Sequence, residues 1–298
     1  MIDTMKKTAL LFTLILSAAL FTACGSKQTE NVQTEAASSN AQAGPASDAI
    51  QESKPAVSVA ELPDEYEPQY FEGTVTAIDG VVITVSGDSS SMSFDVSRNE
   101  ASDENPVLRG CYVEVSYADS PADSIYPADN VSILNDNEEK AEQEERDPVI
   151  YGTLQYLDTN ELVLIDDAGR SIDFDPIIAR TVSFSELKGG EDVVITYCGS
   201  VYGNDDEDSS GAFNGLPVAI KIVSSDAVKS EEAEANYIDG VVSAVDSTSM
   251  TVATEIADFE FECDDSMLKD IESDDAVRVF YSGQLSGITV KAEKIEKR

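Results

Sequence analysis

The acidic loop of residues 203–215 carries the side chains whose spacing is most suggestive of chemistry. Asp206 and Asp208 alternate with other residues and are followed by serine and glycine, which is the spacing of the first half of a calcium-binding loop. The twelfth position of such a loop should hold a bidentate glutamate, but Pro217 stands there. We therefore predict weak Ca²⁺ binding at Asp206 and Asp208, with a Kd on the order of 10⁻⁴–10⁻³ M. The alternative is a solvated acidic hairpin with no cofactor at all.

Two aromatic residues, Tyr202 and Phe213, flank this acidic run. Aromatic side chains offer a large contact area, and the tyrosine adds a polar end. We predict that Tyr202 and Phe213 present a ligand-binding surface when the loop is ordered.

Catalytic patterns are scarce in the rest of the chain. It has no histidine, which removes the usual general base and the Ser-His and Cys-His pairs. No nucleophile elbow, phosphate-binding loop or dinucleotide fingerprint occurs. We predict that the protein is not an enzyme, and the alternative is a hydrolase that works through paired carboxylates.

The four cysteines form no metal-binding or redox motif. There is no Cys-x-x-Cys, and without histidine a zinc site is nearly excluded. We expect Cys111, Cys198 and Cys263 to be small buried residues, and a redox role is the alternative.

The N-terminus resembles that of a bacterial lipoprotein. Lys6 and Lys7 precede an apolar run over residues 8–21, and Thr-Ala then leads to Cys24. The usual pattern has leucine three residues before the cysteine, where this chain has Phe21. The resemblance implies a signal peptide of residues 1–23, lipidation (palmitate included) of Cys24, and a cell-membrane location on the extracytoplasmic face. The alternative is an ordinary secretory signal in which the cysteine is incidental. Under either interpretation, both Met1 and Met5 are candidate starts.

Composition sets expectations about the tether and the partners. Residues 24–66 are rich in Ser, Ala, Gln, Glu and Pro, which predicts a disordered tether. The formal net charge is −39, which disfavours binding to phosphate backbones, so we expect no nucleic-acid partner. Cations and basic partners are the ligands that this charge favours, although solubility alone also explains it.

Three copies of one strand pattern follow the tether. The strands of these copies must hold the residues of any functional site in place. Each copy opens on a glycine, and the openings lie 79 and 88 residues apart. A phenylalanine marks the third strand and a tyrosine ends the fourth, in a Val-x-[Val/Ile]-x-Tyr pattern that predicts a half-buried strand. The repeated residues are Gly73, Gly152 and Gly240; Phe94, Phe174 and Phe261; Tyr117, Tyr197 and Tyr281.

The repeated pattern resembles small OB-like domains of unknown function in bacterial envelope lipoproteins. Five strands in about 70 residues, with a longer connection between the third and fourth, fit that outline. The resemblance implies an all-β protein of three tandem five-stranded OB-like barrels, at 67–135, 148–224 and 235–298. We expect the acidic segments between the barrels to be solvated linkers.

Overall fold

The computed structural model describes residues 67–99, 106–117, 124–202, 215–286 and 290–298, which all belong to one compact unit over residues 62–298. No helix in these described ranges is long and apolar enough to cross a membrane. Most of the described residues lie in strands, and the strands fall into three repeats.

The first repeat is a closed five-stranded barrel. Its strands are β1 (Gln69–Asp79), β2 (Val82–Ser86), β3 (Ser91–Asp95), β4 (Tyr112–Tyr117) and β5 (Ile125–Asn135). The order around the barrel is β1-β2-β3-β5-β4, with β3 and β5 parallel and all other pairs antiparallel. This is the OB-like arrangement that the sequence predicts.

The second repeat keeps the same strand order but opens its barrel. Its strands are β6 (Val149–Leu157), β7 (Leu162–Asp166), β8 (Ser171–Phe174), β9 (Arg180–Val182), β10 (Asp192–Cys198) and β11 (Val218–Ser224). A single bridge between Asp175 and Val218 joins β8 to β11, where the first repeat has a parallel strand pair. Pro176 follows that bridge and has no N–H to continue it. The chain instead adds β9 beside β11, so the prediction of a five-stranded barrel is wrong here: the sheet has six strands.

The third repeat is again a closed barrel. Its strands are β12 (Tyr237–Val245), β13 (Ser249–Ala253), β14 (Asp258–Glu262), β15 (Ala276–Ser282) and β16 (Val290–Lys297). The order β12-β13-β14-β16-β15 repeats that of the first barrel. The tandem OB-like, all-β fold is therefore confirmed.

Each core is built around the repeated phenylalanine and tyrosine. All six side chains are buried, and each phenylalanine ring contacts the tyrosine ring of its own repeat. The ring centroids are 5.3 Å apart for Phe94 and Tyr117, 5.6 Å for Phe174 and Tyr197, and 6.2 Å for Phe261 and Tyr281. The strand register inferred from the sequence is thus correct at these positions.

The three opening glycines lie where the first strand crosses close to the end of the second. A Cβ at Gly73 would lie 2.3 Å from the carbonyl oxygen of Ser86, and one at Gly152 would lie 2.3 Å from that of Ile165. In every repeat a register shift follows within four residues of this glycine. Glycine is required here because no side chain fits between the two backbones.

The segments between the repeats are packed rather than solvated. The first contains α1 (Asn137–Gln143), with Asn137, Ala141 and the following Asp147 buried. The second contains α2 (Glu231–Glu234), against which Lys221 donates hydrogen bonds to the carbonyls of Ala233 and Ala235. The expectation of solvated linkers is therefore wrong for both segments, because a few of their side chains are bound by the repeats.

The three cysteines of the repeats are buried and free, which confirms the expectation of small core residues. Burial raises the pKa of Cys111 and of Cys263 to about 11. Such thiols stay protonated at neutral pH and are poor nucleophiles.

Candidate binding cleft between the second and third repeats

A cleft of about 660 Å³ lies between the second and third repeats. Its walls are the segment that leads into β9, the first half of β12, and the turn that follows β13. The lining residues are Ile177, Ile178, Ala179, Arg180, Tyr237, Ile238, Asp239, Gly240, Val241, Ala253, Thr254 and Glu255. Apolar side chains and a few polar groups thus share one concave surface, which is the usual composition of a ligand site.

Two arginines enclose the ring of Tyr237 at this cleft. The guanidinium carbon of Arg180 lies 4.1 Å from the ring centroid, and that of Arg278 lies 3.7 Å from it. Arg278 also donates two hydrogen bonds to Asp239, from Nε at 2.7 Å and from Nη2 at 2.6 Å. The same contact holds the pKa of Asp239 below its usual value, so the charge of Arg278 is balanced by a fixed carboxylate.

The charge of Arg180 has no such partner among the described residues. Its Nη1 donates to the carbonyl oxygen of Glu232 at 3.1 Å, and its Nη2 donates to that of Ala235. Within the described part of the chain it forms no ion pair with a carboxylate. Burial lowers its pKa, because a desolvated cation is disfavoured. The cleft wall therefore holds a cation that a bound anionic group would stabilise.

Strand β9 gives the same wall a backbone edge that no other described strand pairs with. It begins at Arg180, lies at the end of the second sheet, and pairs on one side with β11. Alternate N–H and C=O groups on the outer side of an edge strand have no strand partner, and extended peptides can pair with them. Ile177 and Val241 add exposed apolar side chains at the cleft.

Acid–base chemistry has little support at this site. Asp239 is held as a carboxylate by Arg278, so it cannot act as a general acid near neutral pH. Among the described carboxyls, only Glu138 and Asp147 have a raised pKa; neither lines the cleft, and both accept hydrogen bonds from the protein itself. The hydrolase hypothesis thus gains nothing from the geometry.

The residues singled out from the sequence are not brought together here. Asp206, Asp208 and Phe213 lie outside the described residues, as does Cys24, so those hypotheses stay predictions. Tyr202 is described and packs against the core of the first repeat, with the guanidinium of Arg170 5.6 Å from its ring. Elsewhere in the described ranges, no group of three or more acids or cysteines is arranged to hold a metal.

The cleft residues were missed, although one signal for them was available. Asp239 precedes the repeated glycine by one position, and Arg278 follows the first valine of the fourth strand by one position. These two strands pair, and their register places Asp239 opposite Arg278. Reading the repeats as paired strands would have revealed this contact, but not the position of Arg180 from the neighbouring repeat.

Two solved structures align with most of the chain. One, titled drosophila Unr CSD456, is 13% identical with a TM-score of 0.20, and the alignment covers 78% of this chain and 98% of that one. The other is a multidomain protein with nucleic acid binding domains from Streptococcus pneumoniae. It is 8% identical with a TM-score of 0.18, and the alignment covers 75% of this chain and 72% of that one. No protein-family model and no curated protein matches the sequence. At these identities the likeness concerns the fold alone.

The expectation of no nucleic-acid partner is corrected by these comparisons, because one similar structure is titled as having nucleic acid binding domains. That expectation rested on the net charge of −39. Net charge describes the field far from the protein, whereas a local surface can have the opposite sign. The charge of this chain therefore does not exclude a nucleic-acid ligand, and the exclusion is dropped.

Proposed function

We propose that this chain is a lipid-anchored, non-catalytic binding protein of the bacterial cell envelope, and that it holds an extended acidic ligand in the cleft between its second and third repeats. The observation that carries the proposal is Arg180, a partly buried cation without a carboxylate partner in the described residues, at the start of an edge strand. The lipoprotein-like N-terminus supports the location.

The lipid anchor rests on the sequence around Cys24. An apolar run of 14 residues behind two lysines is typical of a secretory signal and is too short to span a bilayer comfortably. A cysteine directly after Thr-Ala is the residue that acquires lipid in bacterial lipoproteins. Residues 25–66 would then hold the repeats away from the membrane, with a root-mean-square span of about 35 Å if the segment is flexible.

Replacing Cys24 by alanine is expected to abolish membrane retention and incorporation of labelled palmitate. Cell fractionation and radiolabelling of the wild-type and Cys24→Ala chains check this. Cys111→Ala is the matched control, because that thiol is buried in the first repeat and should take no lipid. Undiminished membrane association of the Cys24 variant would contradict the anchor and leave the cleft hypothesis untouched.

The acidic ligand rests on local charge rather than on net charge. At 0.15 M salt the Debye length is about 8 Å, so repulsion from the rest of this acidic chain is largely screened. A contact between a ligand carboxylate and the partly desolvated Arg180 is screened much less. Binding of an acidic segment should therefore be stronger at 0.15 M salt than at 0.01 M.

An octapeptide of alternating valine and glutamate is expected to bind the protein, and Arg180→Gln should weaken that binding about tenfold, or about 1.4 kcal/mol. Fluorescence anisotropy with the labelled peptide provides the measurement. The control variant is Arg98→Gln, at an exposed arginine of the first repeat, and the control peptide has lysine in place of glutamate. If the Arg180 and Arg98 variants bind the peptide with equal affinity, the cleft is not the binding site. Stronger binding of a single-stranded oligonucleotide than of the peptide would change the ligand class.

A further inference from the structure

A single segment, residues 136–148, contacts all three repeats, and we call it the strap. It connects β5 to β6 and contains α1, whose first turn is capped by Asp136. The first anchor is Asn137, whose Nδ2 donates to the backbone oxygen of Arg109 in the first repeat at 3.0 Å. Asn137 is buried, so this contact is part of the packed structure.

The second anchor is Glu138, which binds the second repeat. Its Oε1 accepts hydrogen bonds from the hydroxyl of Tyr197 at 3.0 Å and from the backbone N–H of Val201 at 2.6 Å. Its Oε2 accepts a hydrogen bond from the hydroxyl of Ser200 at 2.7 Å. The carboxylate thus lies between the hydroxyl of Tyr197, one residue before the end of the fourth strand, and the N–H four residues after that tyrosine.

The third anchor, Asp147, is bound in the same way by the third repeat. Its Oδ2 accepts a hydrogen bond from the hydroxyl of Tyr281 at 2.6 Å, and its Oδ1 accepts one from the N–H of Leu285 at 2.8 Å. Leu285 again follows the tyrosine by four residues. Asp147 is 3% exposed, so its carboxyl is sealed between the strap and the third repeat.

The second and third repeats therefore bind a carboxyl group in the same way, through the hydroxyl of the tyrosine in their fourth strand and the N–H four residues later. We call this pair of donors the notch. We propose that the strap is one of the elements that fix the three repeats in one arrangement, and that loss of the proton from Asp147 loosens its attachment to the third repeat.

The groups around Asp147 determine the sign of this effect. They are the hydroxyl of Tyr281 on β15, the N–H of Leu285, Lys221 on β11, Cys198 on β10 and Arg146 on the strap. Burial is the largest influence and outweighs the two hydrogen bonds and the two cations, raising the pKa of Asp147 from 3.8 to about 6. A carboxyl with a raised pKa in the docked state stabilises docking below pH 3.8 and loses that contribution as the pH rises through about 6. The strap should therefore hold the third repeat more tightly in acid.

Amide hydrogen exchange at Leu285, measured by NMR on the full mature chain, tests the proposal. Asp147→Asn removes the charge but keeps an oxygen that can accept from Leu285. The ratio of exchange rates, wild type over Asp147→Asn, is expected to be near one at pH 4 and to rise to about 100 at pH 7–8, because two pKa units correspond to a factor of about 100. Comparing the variants at the same pH cancels the intrinsic pH dependence of exchange.

Two further variants separate this mechanism from a general loss of stability. Glu138→Gln should change exchange at Val201 and leave the pH profile of Leu285 intact, because it acts at the notch of the second repeat. Tyr281→Phe removes a donor that favours the charged carboxylate, so the rise in exchange at Leu285 should extend to higher pH. A ratio for Asp147→Asn that is the same at pH 4 and pH 8, or faster exchange in that variant at both, would overturn the proposal.

Discussion

Truncation of Phe174 to alanine is expected to lower the free energy of unfolding by about 3–5 kcal/mol, the usual cost of removing a buried aromatic side chain. The ring is 1% exposed and meets Tyr197 edge to face at 5.6 Å between centroids. It also ends β8, directly before the single bridge between Asp175 and Val218. The cavity would therefore lie beside the weakest pairing of the second sheet.

Phe184 supplies the matched control, since it belongs to the same repeat and is 74% exposed. Phe184→Ala should change the free energy of unfolding by no more than about 0.5 kcal/mol. Urea denaturation of both variants gives the comparison. A loss below about 1 kcal/mol for Phe174→Ala would mean that the ring is not packed as described.

Repetition made much of this fold predictable. A single phenylalanine in a short strand has little predictive value, but its recurrence as Phe94, Phe174 and Phe261 fixes the register in three places. The order of the five repeated strands follows, because each copy covers its small core with them, although only the first and third copies close into a barrel. The departure at β9 could not be foreseen, since this strand has three residues and pairs with β11, which starts 38 residues after β9 begins.

The strap and the cleft could not be predicted for a different physical reason. The chain has 58 acidic residues, and nothing local distinguishes the buried Asp147 from its solvated neighbours. Its partner Tyr281 lies 134 residues away in the chain. The same holds for Arg180 and Tyr237, whose contact depends on how two repeats pack together. Periodicity describes the interior of each repeat, whereas these sites are formed between repeats.

Removal of the Asp167 carboxylate is expected to destabilise the contact between the first and second repeats by about 3 kcal/mol. The reason is that the partly buried guanidinium of Arg109 would be left without its negatively charged partner. Asp167 accepts hydrogen bonds from Arg109 through Nε at 2.9 Å, through Nη2 at 2.6 Å and through the backbone N–H at 3.0 Å. The two side chains are 10% and 22% exposed, and the guanidinium also lies 5.3 Å from the ring of Tyr151. In Asp167→Ala the cation and the N–H would both lose their acceptor.

The exposed pair of Lys294 and Glu296 provides the control for this prediction. Its side chains are 62% and 35% exposed, and exposed ion pairs contribute about 0–1 kcal/mol. Glu296→Ala should therefore leave the urea midpoint nearly unchanged, while Asp167→Ala lowers it. The double variant, Asp167→Ala with Arg109→Ala, should recover part of the lost stability, because it also removes the charge that has no partner in the single variant. If Asp167→Ala and Glu296→Ala have equally small effects, the first repeat is held to the second by its apolar contacts and by the strap rather than by this ion pair.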